Sequence, residues 1–149
     1  MIIYYFVLII SFIFYFIQRN KRVPSVSLFF CFMLAIALFV GLGDMIGGYD
    51  RYIYGEVFDS IADEMRGEGN FSSLFYLVNG KEYGYFVWQI IVSVFTPNRY
   101  IFILVTTLTI YYLFFRVMRR YMLDYPLAVI VFMGMLFYFT MTYLRAVFA

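Results

Sequence analysis

The 149-residue chain has no histidine and only one cysteine, Cys31. The absence of histidine removes the side chain that most often transfers protons near neutral pH and most often binds metals. A single cysteine excludes an internal disulfide framework. Any catalysis therefore uses carboxylates, arginine, lysine or tyrosine. Carboxylates can hold Mg²⁺, but their spacing here does not demand a metal, and no cofactor is indicated.

Charged residues are also scarce, at 13% of the chain, whereas hydrophobic residues make up 65% and the mean hydropathy is +0.87. Soluble domains are about a quarter charged and about half apolar, so the composition predicts an integral membrane protein. The net charge of +2 is too small to indicate nucleic acid binding. The basic residues cluster instead at the ends of apolar segments, where they act as signals of membrane topology.

The apolar segments predict an all-α, polytopic membrane protein with a single membrane domain and about four transmembrane helices. A spanning helix needs roughly 20 apolar residues, and the segments 1–18, 25–43, 100–116 and 125–145 approach this length. The segment 85–96 is shorter, which predicts a re-entrant or half-span helix. In the first segment the positive charge follows the apolar run, whereas a signal peptide carries it ahead of that run. We therefore expect this segment to be a retained span.

Two topologies remain open, and they differ in whether residues 85–96 cross the bilayer. A full crossing places the arginines of 116–120 outside the cytoplasm, against the positive-inside rule. A re-entrant segment places them in the cytoplasm beside the basic residues of 19–22. We favour this arrangement because both basic clusters then agree. Residues 44–84 become an extracytoplasmic loop, and Arg145 emerges on the same outer side.

This loop contains eight of the nine acidic residues of the chain: Asp44, Asp50, Glu56, Asp59, Asp63, Glu64, Glu68 and Glu82. Carboxylates are unfavourable near lipid, so such a cluster serves chemistry, binding or a water-exposed connection between spans. Tyr54, Phe58 and Ile61 recur at helical spacing, which predicts an amphipathic helix that runs to Met65, with Asp50 as its cap. Most of the other acidic residues then form its solvated face. We expect a second short helix over 71–78.

Three short motifs carry a resemblance to a known family. Gly48-Tyr49-Asp50, followed by Tyr54 and Phe58, resembles the G-x-D-x-x-x-Y-x-x-x-F signature of the EpsG family, which comprises Wzy-like polymerases of bacterial exopolysaccharide and capsule. Glu82-Tyr83-Gly84-Tyr85 resembles the family's second motif, a Glu followed by a small-aromatic pair.

The third motif of that family is usually Leu-Arg-Gln-x-x-Ala, and Leu144-Arg145-Ala146-Val147-Phe148-Ala149 resembles it. Ala146 stands where the family usually has Gln. The three motifs occur in the family's order. They correspond to the first half or less of a typical member, so we expect the N-terminal part of a longer protein.

The resemblance implies a multi-pass enzyme of the glycosyltransferase type in the bacterial cytoplasmic membrane. Such an enzyme joins oligosaccharide repeats carried on polyprenyl pyrophosphate, surrounded by membrane lipid and alongside other polysaccharide-synthesis membrane proteins. The resemblance makes Asp50 and Glu82 the candidate catalytic residues, as base or positioning carboxylates. Arg51 and Arg145 are the candidates for binding the pyrophosphate. The candidate rings for binding sugar or polyprenyl are those of Tyr49, Tyr54 and Tyr85.

Each of these residues also has a purely structural interpretation. Asp50 fits a helix cap, Glu82 fits a charge at a helix start, and the arginines fit ordinary interfacial charges. A non-catalytic component, such as a lipid-linked-sugar transporter or an assembly scaffold, is the alternative function, since 85–96 resembles the broken helices of transporters. An inactive remnant is a third interpretation, because the chain stops inside or just after a helix.

Overall fold

The computed structural model describes residues 2–21, 24–43, 49–67, 83–135 and 137, with the backbone alone for residues 2, 3 and 49–52. These residues form six α-helices and no strands, which confirms the all-helical prediction for the described part of the chain. The short helix predicted over 71–78 lies outside the described residues, as do Glu82 and Arg145. The helices are α1 Ile2–Arg19, α2 Val26–Leu42, α3 Tyr49–Arg66, α4 Tyr83–Phe95, α5 Arg99–Tyr121 and α6 Tyr125–Met135.

The most extensive packing is between α2 and α5, which run antiparallel. Near the end of α5 the Phe115 ring lies 4.9 Å from the ring of Phe29 and 5.3 Å from that of Phe30, at the start of α2. At the other end of the pair, Gly41 of α2 lies against Leu104 in the second turn of α5. This pair of helices forms the centre of the apolar core.

The helices α1 and α6 extend this pair into a bundle. The buried Gln18 amide ties the end of α1 to the start of α2, because it both donates to and accepts from the Ser25 backbone at 2.9 Å. The Tyr125 ring, at the start of α6, stacks on Phe29 at 4.8 Å. At the far end of α6 the Tyr4 hydroxyl donates to the Gly134 carbonyl at 2.6 Å. The four helices therefore alternate in direction, as in antiparallel helix bundles.

Of the helices in the described part of the chain, α5 alone, with 23 residues, is long and apolar enough to cross a membrane. Shorter apolar helices cover Tyr4–Arg19, Val26–Leu42, Tyr83–Phe95 and Tyr125–Met135. The number of spans therefore stays a prediction. Along α1 a continuous face of large apolar side chains is exposed, of the kind that suits contact with lipid or another protein: Tyr5, Phe6, Ile9, Phe12, Ile13, Phe16 and Ile17.

The helix α5 continues beyond the apolar segment 100–116, to Tyr121. Apolar content stops near Arg116, but arginine and methionine are good helix formers. Met118 is buried in the core, and its carbonyl accepts a hydrogen bond from the Met122 amide at the helix end. Hydropathy therefore locates the apolar part of this segment, whereas helix propensity and the packing of Met118 set the end of the helix.

Gly41 permits the close approach of α2 to α5. A Cβ atom at this position would lie 2.7 Å from the Leu104 Cδ1 atom and 3.3 Å from its Cα atom, whereas one at Gly134 would lie 4.0 Å from the nearest neighbour, Leu8 Cδ1. We expect Gly41→Ala to lower stability by about 1–3 kcal/mol, the usual effect of overpacking. The measurement is the thermal unfolding midpoint of the purified protein in a non-ionic detergent.

Gly134→Ala is the matched control, since it makes the same substitution inside a helix without a clash. It should leave the midpoint unchanged or raise it, because alanine is up to about 1 kcal/mol more favourable than glycine in a helix. Equal effects of the two substitutions would contradict the assigned contact.

Candidate functional site

The helix α3 packs its apolar face across the start of α5. The rings of Phe58 and Phe102 stack at 4.3 Å with an interplanar angle of 6°, and both are fully buried. Ile61 is buried against Phe86 of α4 in a second small cluster. Glu56 and Asp63, on the other side of α3, are exposed. The amphipathic helix predicted from the spacing of Tyr54, Phe58 and Ile61 is therefore present with the expected face buried.

The structure brings together the two site tyrosines whose side chains it describes. The rings of Tyr54 and Tyr85 meet edge to face at 5.9 Å, and Tyr85 also lies 6.2 Å from the Phe102 ring. Tyr54 is 7% exposed and Tyr85 is 5% exposed. Both rings thus hold α3, α4 and α5 together, and their predicted part in substrate binding stays a prediction.

The first turn of α3 carries three of the predicted site residues, Tyr49, Asp50 and Arg51. The helix begins at Tyr49, so Asp50 lies inside the first turn rather than capping it from outside. Tyr54 follows one turn later, and its contact with Tyr85 places the start of α3 beside the start of α4. Glu82, which lies outside the described residues, immediately precedes α4 in the sequence. The first two motifs thus belong to two neighbouring helix starts.

The helix α4 lies beside the start of α5. The Trp88 indole donates to the Thr106 hydroxyl at 2.9 Å, and the Tyr85 ring lies 6.2 Å from the Phe102 ring. The main packing partner of α4 is α3. With 13 residues, α4 is about 20 Å long at 1.5 Å per residue, shorter than the roughly 30 Å hydrocarbon core of a bilayer.

An ion pair that the sequence interpretation missed connects α3 to the start of α5. The Arg99 Nη1 atom lies 3.4 Å from the Asp59 Oδ2 atom, and the two side chains are 32% and 40% exposed. Gly55 makes room for the stem of Arg99, since a Cβ at this position would lie 3.2 Å from the Arg99 Cδ atom. Asp59 was expected in the solvated face and Arg99 in the break between helices. The one feature of the sequence that indicated close packing here was Gly55, because a glycine inside an otherwise regular helical pattern often has a packing reason.

Burial dominates the electrostatics of Asp59. It raises the pKa of the Asp59 carboxyl, Arg99 lowers it, and the like charges of Asp63 and Glu56 raise it further, so that the pKa lies above its usual value. The charge of Arg99 therefore does not offset the effect of burial and of the neighbouring carboxylates on the pKa of Asp59. The docking of α3 depends mainly on Phe58 and its apolar neighbours.

A carboxyl whose pKa is higher in the folded than in the unfolded protein favours folding in its protonated form. We therefore expect the docking of α3 to gain stability as the pH falls through the raised pKa of Asp59. Arg99→Gln should move the titration of Asp59 to higher pH, because it removes the charge that lowers the pKa. Asp63→Asn should move it to lower pH, because it removes a like charge. The titration is followed by carboxyl ¹³C NMR of the protein in detergent micelles, and shifts in the same direction for both variants would contradict the assignment.

The fold and this site define an all-helical, strongly apolar protein with an amphipathic helix packed across one end of its bundle. The model of the EpsG family matches residues 26–149 of this chain. The chain therefore belongs to the EpsG family, and this membership indicates a polysaccharide-related membrane protein. Searches of curated proteins and of solved structures gave no match.

Proposed function

We propose that this protein joins polyprenyl-pyrophosphate-linked oligosaccharide repeats at the end of the bundle where α3 and α4 begin. The observation that carries the proposal is the contact between Tyr54 and Tyr85 at 5.9 Å. This contact places the first turn of α3, with Asp50, beside the first turn of α4, which Glu82 precedes in the sequence. In a member of the EpsG family, this arrangement of helix starts supports a shared site for the two candidate carboxylates.

The reaction forms a bond between an acceptor sugar hydroxyl oxygen and the anomeric carbon of the donor, and breaks the bond from that carbon to the pyrophosphate oxygen. Asp50 or Glu82 positions the hydroxyl and takes its proton, a contribution of about 10²–10⁴ in rate. The leaving group is polyprenyl pyrophosphate, whose oxygens Arg51 and Arg145 bind bidentately. The Tyr49 ring, next to Asp50 in the same turn, is the candidate for stacking on a sugar.

Helix starts suit this chemistry because the positive end of the helix dipole stabilises negative charge. Asp50 lies in the first turn of α3. Arg51, in the same turn, provides a positive charge for the departing pyrophosphate.

Membrane orientation supports the same location. The basic residues at the C-terminal ends of α1 and α5, including Arg19 and Arg116, lie at the end of the bundle opposite to the contact of Phe58 with Phe102, whereas Arg99 lies near that contact. The positive-inside rule assigns that basic end to the cytoplasm. The start of α3 then faces the outside, where we propose that polymerisation occurs. The short α4, packed on α3, fits a re-entrant or interfacial helix on that outer side.

Each test substitution removes the charge of one candidate residue and, where possible, keeps the size of its side chain. We expect Asp50→Asn, Glu82→Gln and Arg145→Ala to lower polymer formation at least about 100-fold in cells that depend on this gene in its full-length form. The measurement is polymer length and amount by gel analysis, with membrane insertion checked by immunoblotting of the membrane fraction. Asp63→Asn is the control, since it removes an exposed carboxylate from the same helix α3.

Polymer of normal length and amount from both Asp50→Asn and Arg145→Ala would overturn the proposal. A second function, transport or assembly without catalysis, is favoured by one observation, the short helix α4 packed beside the start of α5, since transporters use such half-helices near their binding sites. Binding of lipid-linked oligosaccharide by the purified protein without any turnover would support that function instead.

A further inference from the structure

An apolar groove of about 150 Å³ runs along the seam between α2 and α5. On α2 its lining extends from Phe30 to Ala37, and on α5 it extends from Leu108 to Phe115. Each stretch rises about 10 Å at 1.5 Å per residue. The groove is open at its rim, since Phe30 is 40% exposed and Tyr112 is 48% exposed. It therefore follows the helix axes and is accessible from the surface of the bundle.

Two arginines of α5 lie at one end of this groove. The Arg116 Nη1 atom donates to the hydroxyl of the lining residue Tyr112 at 3.4 Å. Arg119 continues the row of lining residues Leu108, Tyr112 and Phe115, one turn beyond Phe115. With 3.6 residues per turn, Arg119 lies within about 20° of Leu108 around the axis of α5. The same face of α5 thus carries the groove and then this charge.

The charges of these two arginines are exposed and unneutralised within the described part of the chain. Neither Arg116 nor Arg119 forms an ion pair there, and both are exposed. Asp124, the nearest acidic residue in the sequence, accepts a hydrogen bond from the Leu127 amide at 3.1 Å, at the start of α6. The described residues that line the groove are themselves uncharged. A pair of cations therefore adjoins an apolar groove.

We infer that this groove binds an anionic glycerophospholipid, with the lipid phosphate at Arg116 and Arg119 and an acyl chain along the seam toward Ala37. Arginine binds phosphate oxygens bidentately, and basic side chains beside membrane helices attract anionic lipids. The positive-inside rule places the end of α5 at the cytoplasmic interface, where lipid phosphates lie. The groove then runs from that interface toward the bilayer centre, as an acyl chain does.

The size of the groove favours an acyl chain over a partner helix. A cavity of about 150 Å³ holds one benzene-sized apolar group, whereas a helix with its side chains is about 10–12 Å across. A free phosphate would contact the arginines and leave the groove empty. A lipid uses both the charges and the groove. This inference rests on the membrane insertion assumed in the proposed function, and it does not depend on polymerase activity.

The experiment titrates the purified full chain in a neutral detergent with phosphatidylglycerol or phosphatidylcholine and measures bound lipid by native mass spectrometry. We expect tighter binding of phosphatidylglycerol. Arg119→Gln should weaken it about fivefold, because one juxtamembrane arginine contributes about 1 kcal/mol and 1.4 kcal/mol corresponds to tenfold. Arg120→Gln is the matched control. Arg120 lies about 120° from Leu108 around the axis of α5 and over the Tyr121 ring at 5.4 Å, so its loss should change the affinity much less.

A second pair of variants tests the groove itself. Leu34 and Leu38 of α2 are 38% and 37% exposed, and Leu34 lines the groove whereas Leu38 is not among its lining residues. Leu34→Trp should fill the groove and weaken the binding of phosphatidylglycerol. Leu38→Trp adds the same ring one turn away and should leave that binding unchanged.

Equal affinity for the two lipids would overturn the inference, as would equal losses from Arg119→Gln and Arg120→Gln. Full displacement of the lipid by soluble glycerol phosphate would also overturn it, because the groove would then contribute nothing. Binding of an acidic peptide at these arginines, with no lipid selectivity, would identify a protein surface instead. Lipid selectivity without polymer formation in cells would count against the proposed function alone, whereas absence of the chain from the membrane fraction would count against both.

Discussion

The close packing of α2 on α5 is the interaction on which the rest of the structure depends. Gly41 allows the backbone of α2 to approach Leu104, and Phe29 and Phe115 fill the other end of the same contact. Between helices surrounded by lipid the hydrophobic effect supplies little attraction, so dense packing of small residues against neighbours carries the association. The contact also fixes the direction of α5, because it pairs the end of α5 with the start of α2.

The direction of α5 decides which chemistry lies at each end of the bundle. Its start carries Phe102, on which Phe58 of α3 stacks, and Arg99, which pairs with Asp59. Its end carries Arg116, Arg119 and Arg120. The candidate site and the arginines at the end of α5 are thus separated by the length of a 23-residue helix, about 35 Å at 1.5 Å per residue, so that charges at one end act little on the other.

The sequence predicted these elements to different degrees, for physical reasons. The apolar runs and the spacing of Tyr54, Phe58 and Ile61 predicted the helices and the buried face of α3, because burial follows local periodicity. The pairing of Arg99 with Asp59 was not predictable, since the two residues are 40 positions apart and the one local signal, Gly55, indicates close packing without identifying the partner. The helix α5 continues past the predicted span 100–116 to Tyr121, because the buried Met118 stabilises the added residues although the apolar run has ended.

The sequence identified candidate site residues, but it did not predict the contacts that hold the helices carrying them together. The motifs singled out Asp50 and Glu82, but the rings of Tyr54 and Tyr85, expected at the substrate, are buried between helices. Buried tyrosines can still serve the proposed site, by fixing the positions of the helices on which the motifs lie. A helix start can hold a carboxylate in a fixed position only if the next turn is immobilised, and Tyr54 lies one turn after Asp50. The edge-to-face contact with Tyr85 packs that turn against α4. Under the proposed function, Tyr54 and Tyr85 act on the candidate carboxylates indirectly, by fixing the helix starts that carry or adjoin them.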